Sequence, residues 1–146
     1  MTAININAKA PVTCNKSIAI KASSERVWSV LTTINEWSRW QSDIKEAVIA
    51  DPLNPGSAFD WVSGGARIHS TLHTVKPLRA IGWTGKGMGI SATHNWTMDA
   101  HDGVVTVHVN ESMDGFLSKL LKGYLNRSLD QSLSRWLMLL KQECER

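Results

Sequence analysis

Between Ile44 and Ser112 six segments that alternate apolar and polar residues are separated by residues that turn the chain, and this punctuation limits the possible folds more than any other feature. Ile44–Ala50 stops at Asp51-Pro52-Leu53-Asn54-Pro55-Gly56, whose prolines cannot continue a ladder. Ser57–Ser63 stops at Gly64-Gly65, a hairpin signal. Ala66–Val75 stops at Lys76-Pro77, Arg79–Gly85 at the glycine-spaced Lys86–Gly89, and Ile90–Ala100 just before Asp102-Gly103. Val104–Ser112 closes the run. Connections this short join antiparallel neighbours, because a parallel crossover needs about a dozen residues or more. The expectation is a six-strand meander.

The flanks complete the order of elements. Met1–Val12 has no period and is expected to be a mobile arm, ahead of a single domain over 13–146. Asn15–Ala22 alternates around Ile18 and Ile20 and predicts a seventh strand. Ser23 or Ser24 can cap a helix whose Val27, Val30, Leu31 and Ile34 share one face, and Glu36–Trp40 predicts a second short helix carrying Trp37 and Trp40. Phe116 to about Cys144 runs without proline and as one helix would reach roughly 40 Å. Its apolar stripe changes phase. Leu117, Leu120, Leu121 and Tyr124 share one face, whereas Leu129, Leu133, Trp136 and Leu140 fall on another. Gly123 lies where the switch begins, so the expectation is either a bend there or a second half that meets a different surface. The rotated second half, with Leu133, Leu137 and Leu140, is a candidate apolar patch or dimer contact, and the chain is expected to be a monomer or weak homodimer.

A twisted antiparallel sheet of seven strands curls, and a long helix laid in its concave side cannot touch it everywhere, so space is left between them. This α+β order resembles the START-like superfamily, also called SRPBCC or the birch-pollen-allergen fold, and within it the polyketide cyclase/dehydrase-like group. The resemblance runs from Ser17 to Glu145. It is carried by Ala22-Ser23-Ser24-Glu25-Arg26-Val27-Trp28, the paired Trp37 and Trp40, Ser63-Gly64-Gly65, Ile81-Gly82-Trp83-Thr84-Gly85, and Gly115-Phe116-Leu117. It implies a helix-grip fold: a seven-stranded curved antiparallel sheet, two short helices and one long C-terminal helix (β-α-α-β6-α). Proteins of this architecture range from lipid carriers to cyclases, so the resemblance implies a cavity before it implies a reaction.

Alternation says what would line that cavity. Ile90, Ala92, His94, Trp96 and Met98 share one side of their strand, as do Val105, Val107, Val109, Glu111 and Met113 of the next. With Phe59, Trp61, Ile68, Leu72, Ile81 and Trp83 they are expected to face inward, opposite Leu117, Leu120, Leu121 and Tyr124. The expected ligand site is this aromatic and aliphatic wall with three polar members, His94, Glu111 and Tyr124, a composition suited to a hydrophobic small molecule. If the site is catalytic, His94 or Glu111 would remove an acidic proton and Tyr124 would polarise a carbonyl, as in a cyclase or dehydratase. The same residues also have plain readings: a hydrogen-bonded interior histidine, a paired carboxylate, and a tyrosine at the rim. Gly85-Lys86-Gly87-Met88-Gly89 matches no phosphate-binding spacing and is read as a flexible hairpin and candidate gate.

Several chemistries fall away. His69 and His73 stand ~13 Å apart on one strand, too far for a shared zinc at ~2 Å from each, and both are expected on the solvated face. No G-x-S-x-G elbow occurs. No metal or cofactor is expected. The formal charge of +3 forms no obvious stripe, and the Trp residues predicted to point inward are not interleaved with Lys or Arg, so nucleic acid is not an expected partner. Cys14 and Cys144 lack any metal or redox spacing and read as plain thiols. No apolar run approaches the ~18 residues of a membrane span, and Met1–Ala22 lacks a leader pattern, so a soluble cytoplasmic protein is expected. The unusual count is seven Trp against one Tyr and two Phe.

Overall fold

The structure, a computed structural model, describes Thr2–Arg146. Seven strands, β1 (Val12–Ile20), β2 (Ile44–Ile49), β3 (Ala58–Ser63), β4 (Ala66–Lys76), β5 (Ala80–Gly87), β6 (Ile90–His101) and β7 (Val104–Asp114), form one antiparallel sheet in the order β1-β7-β6-β5-β4-β3-β2. The meander is therefore as the turns dictate, and β1 closes it by pairing with β7. Asp102 and Gly103 take φ of 51° and 78°, the left-handed pair that a two-residue hairpin turn requires. Between β1 and β2 lie α1 (Ser24–Thr32), a 3-10 turn (Ile34–Glu36) and α2 (Trp37–Trp40). Ser23 caps α1, its hydroxyl accepting from the Arg26 N–H at 3.1 Å.

The C-terminal segment is two helices, α3 (Phe116–Leu120) and α4 (Lys122–Cys144). The break falls at Leu121, at φ −105° and ψ 25°, and not at Gly123, which lies inside α4. One non-helical residue turns the stripe enough to serve two surfaces, so glycine's flexibility is not used. The two halves differ from expectation in how deeply they pack. Leu129, Leu133, Trp136, Leu137, Leu140 and Cys144 are buried against the sheet and α1, so Leu133, Leu137 and Leu140 offer no outward patch. Leu120, Leu121 and Tyr124, expected to face the sheet, are exposed.

Two further expectations fail on the convex face. The arm does not lie free: the Ile4 N–H donates to Nδ1 of His73 at 3.2 Å, Asn95 Nδ2 donates to the Ile4 carbonyl at 2.8 Å, and the Asn7 N–H donates to Ser112 Oγ at 3.0 Å. His73, expected in solvent, is buried under this arm, and burial pushes its pKa below the usual histidine value. His73 shares the convex face with His69, as alternation predicts, but a bulge between Leu72 and Thr74 adds one residue to β4 there, and the arm covers the site. Gly82 makes room for it, since a Cβ there would lie 2.5 Å from His73 Cε1. His69 is exposed and sits 2.8 Å from Asp60.

One end of the interior is solid. Trp37 of α2 is its hub, with ring centroids 5.7 Å from Phe59, 5.5 Å from Trp61, 5.4 Å from Trp83 and 5.2 Å from Trp136. Its indole N–H donates to the Leu31 carbonyl at 2.9 Å, so the buried ring leaves no donor unpaired. Trp40 extends the cluster by packing on Trp136 at 5.7 Å. No helix among the described residues is long and apolar enough to cross a membrane.

Candidate functional site

The other end of the interior is hollow. A cavity of about 510 Å³ lies between the concave sheet and the α3–α4 roof. Its size is within the usual ~300–1,000 Å³ of small-molecule sites. Trp61, Ile68 and Ser70 form one wall, and Trp83, Ala92, His94, Glu111 and Met113 form the floor. Leu117, Leu121, Tyr124, Leu125, Ser128, Leu129, Ser132 and Trp136 form the roof, with Asp43, Ser63 and Arg135 at one rim and Gly87, Met88 and Ile90 at another.

Of the residues expected to line the site, Trp61, Ile68, Trp83, His94, Glu111, Leu117, Leu121 and Tyr124 border this cavity. Phe59, Leu72, Ile81, Trp96, Val107 and Val109 do face inward, but they are packed into the solid core and do not reach the hollow. Alternation fixes the side of the sheet on which a residue lies, and not whether helix or space stands over it. Leu120 points away to solvent, because the break at Leu121 rotates α3 relative to α4.

His94 and Glu111 are directly opposite across β6 and β7, and the carboxylate Oε1 lies 2.5 Å from imidazole Nδ1. Both side chains are almost fully buried, at 5% and 9% exposure. Against an ionised carboxylate, which only accepts, Nδ1 is the donor of the contact, and a neutral ring then presents Nε2 as its acceptor. In this structure Nε2 has no partner. The ring is clamped between Trp83, stacked at 4.6 Å, and Trp96, stacked at 5.6 Å. Orientation, burial and an unspent nitrogen suit this pair for hydrogen bonding to a guest molecule or for moving a proton. Tyr124, 63% exposed, stands at the rim and is not part of the pair.

Sequence reasoning had both residues without their contact. Counting back from the Asp102-Gly103 turn places His94 opposite Glu111, so the signal was present in the hairpin register. It also missed the polar row of Ser128, Gln131, Ser132 and Arg135 on the cavity side of α4, although the helical spacing of these residues is plain. Arg135 Nε donates to Asp43 Oδ2 at 2.7 Å, tying α4 to the start of β2. Elsewhere, Trp61 Nε1 donates to Ser70 Oγ at 3.0 Å, so the wall's own polar atoms are partnered.

Solved structures of the same shape are numerous and distant in sequence. A hypothetical protein of Helicobacter pylori superposes with TM-score 0.83 at 15% identity, covering 99% of each chain. The aromatase/cyclase Zhui of Streptomyces sp. R1128 gives 0.80 at 11% identity, covering 92% of this chain and 93% of its own. A START superfamily protein of Mycobacterium smegmatis gives 0.72 at 14% identity, covering 91% and 97%. Identities this low establish the fold alone. No curated protein matches the sequence. Sequence evidence for kinship comes instead from a family model that spans residues 11–136, from the first strand to the tryptophan of α4 that divides solid core from hollow, and by that match the chain belongs to the family described as polyketide cyclase / dehydrase and lipid transport.

Proposed function

We propose that the cavity binds one hydrophobic or aromatic small molecule, lipid-like or polyketide-like, with a polar group of that molecule seated against the His94–Glu111 pair. The carrying observation is a buried imidazole nitrogen without a partner, in a mainly apolar hollow. A buried acceptor left unpaired is costly, and a guest hydroxyl would relieve that cost. Apolar contact with Trp61, Trp83 and Leu121 would contribute about 25 cal/mol per Å² buried. The family's description and the aromatase/cyclase among the structural neighbours support the same class of ligand. The two free cysteines fit a reducing cytoplasm. Titration of the intrinsic Trp fluorescence with lipids, flavonoids and polycyclic phenols tests the reading. Trp83 stacks on His94, so a bound aromatic guest quenches or shifts the emission, and a flat response to the whole panel at saturation refutes it.

A second reading, cyclase or dehydratase, is favoured by one specific feature: the carboxylate orients His94 so that Nε2 can accept a proton. General-base catalysis of that kind supplies ~10²–10⁴-fold. His94→Ala separates the readings. A carrier loses affinity modestly and nothing else, whereas a catalyst still binds and turns over at least about a hundredfold more slowly.

A further inference from the structure

Around the mouth of the hollow the surface changes character. Phe116, Leu120, Leu121 and Tyr124, from α3, the break and the first turn of α4, are all exposed, Phe116 at 77% and Leu120 at 66%. Met88, at the tip between β5 and β6, is exposed at 71%. The tip and α3 are adjacent: a Cβ on Gly89 would lie 3.2 Å from Leu117 Cδ1. These five account for most of the large apolar side chains that the described residues leave in solvent. Soluble surfaces rarely gather such residues in one place without a use for them.

The charges beside them are of one sign. Gly115–Ser128 contains Lys119, Lys122 and Arg127 and no acidic residue, which equals the formal net charge of the whole chain, +3. All three are exposed, and among the described residues none makes a salt bridge. Elsewhere Lys16, Arg26, Arg39, Arg67, Arg135, Lys141 and Arg146 each have an acidic partner, and the other cations without one, Lys9, Lys21, Lys45, Lys76, Arg79 and Lys86, are spread over the arm, loops and strands. What sets this segment apart is that its three cations follow one another with no acidic residue between them, beside the exposed apolar side chains.

We propose that this rim docks on a lipid bilayer bearing anionic headgroups, with Phe116, Leu120 and Met88 entering the headgroup boundary and Lys119 and Lys122 held among the phosphates. Apolar side chains beside unpaired lysines are the pairing that an interfacial contact uses, and each such cation adds several-fold to affinity for an anionic surface. An acidic protein would satisfy the lysines but give Phe116 and Leu120 nowhere particular to go. A bilayer satisfies both. Docking here brings the mouth of the hollow to the lipid phase, whatever molecule the hollow holds.

Flotation of the purified full chain with phosphatidylcholine vesicles, with and without phosphatidylglycerol, tests this. The protein floats with the anionic vesicles, stays behind with the neutral ones, and is partly released by added salt. Phe116→Ser with Leu120→Ser, and separately Lys119→Gln with Lys122→Gln, each reduce binding about tenfold or more. Neither pair borders the cavity, so both variants retain the Trp fluorescence response to a cavity ligand. No flotation of the unaltered protein overturns the proposal. So does flotation that survives the Phe116/Leu120 change, which would mean adsorption by charge alone, or equal retention on soluble polyglutamate, which would assign the surface to an acidic protein. A missing fluorescence response with intact flotation removes the cavity reading and leaves the docking in place.

Discussion

The two ends of one interior are built from the same materials and come out differently. Beneath the second half of α4, Trp37, Phe59, Trp61, Trp83, Trp96 and Trp136 interlock and fill the space. Beneath α3 and the first turns of α4 the same sheet floor carries Ala66, Gly85, Ala92 and Ser70, and about 510 Å³ stays open. The difference is the size of the floor residues and the presence of a wedge. Where α2 inserts Trp37 as a wedge, the sheet and helix are bridged; where no wedge reaches, the curvature of the sheet leaves a gap.

That contrast can be broken by comparing truncations. Trp136→Ala, at the solid end, is expected to cost about 3–5 kcal/mol of unfolding free energy, whereas Leu121→Ala, at the open end, stays within about 0.5 kcal/mol. Urea unfolding of both variants decides it, and similar losses would mean that the roof is held as tightly over the hollow as over the core. An insertion sharpens the same contrast. Ala47→Leu, in the packed cluster, is expected to cost about 1–3 kcal/mol, while Ala92→Leu, on the cavity floor, costs little and lowers affinity in the fluorescence titration. A cost for Ala92→Leu equal to that of Ala47→Leu would show that the hollow is not available volume.

The smallest expected effect concerns the two thiols. Burial pushes the Cys144 thiol up to about 11, and Cys14, half-buried near Asp130, is also raised, first by burial and then by that carboxylate. At pH 8 roughly one Cys144 in a thousand is thiolate even if reached. A disulfide reagent should therefore label Cys14 first and Cys144 only as the chain opens, with Trp136→Ala raising the second rate. Equal labelling rates in the folded protein would place the end of α4 outside the packed region.

Much of this was legible in the sequence, for a physical reason. Strand alternation and turn chemistry are local, so the order of elements and the inward faces of β6 and β7 could be read directly. The bulge at His73 could not, because a single extra residue leaves no compositional mark and depends on the arm and on Gly82 making room. The phase change in the last helix was visible, but a phase has no sign: nothing in the order of leucines says which stripe meets the sheet. The distinction between core and hollow was equally hidden. Leu72 and Ile68 share a strand face, yet one is fully buried in the core and the other borders the cavity. What separates them is the position of Trp37 and α4 overhead, which is tertiary.

The interruption at Leu121 divides labour along the roof. His94 and Glu111 sit on adjacent strands of one hairpin, under a helix anchored by six buried side chains, so the polar floor shares its supports with the stability of the whole. The short helix before the interruption carries almost none of that anchoring. Its five residues can therefore be exchanged at little cost to the fold, whereas a change beneath the long helix is felt by the packing of the whole.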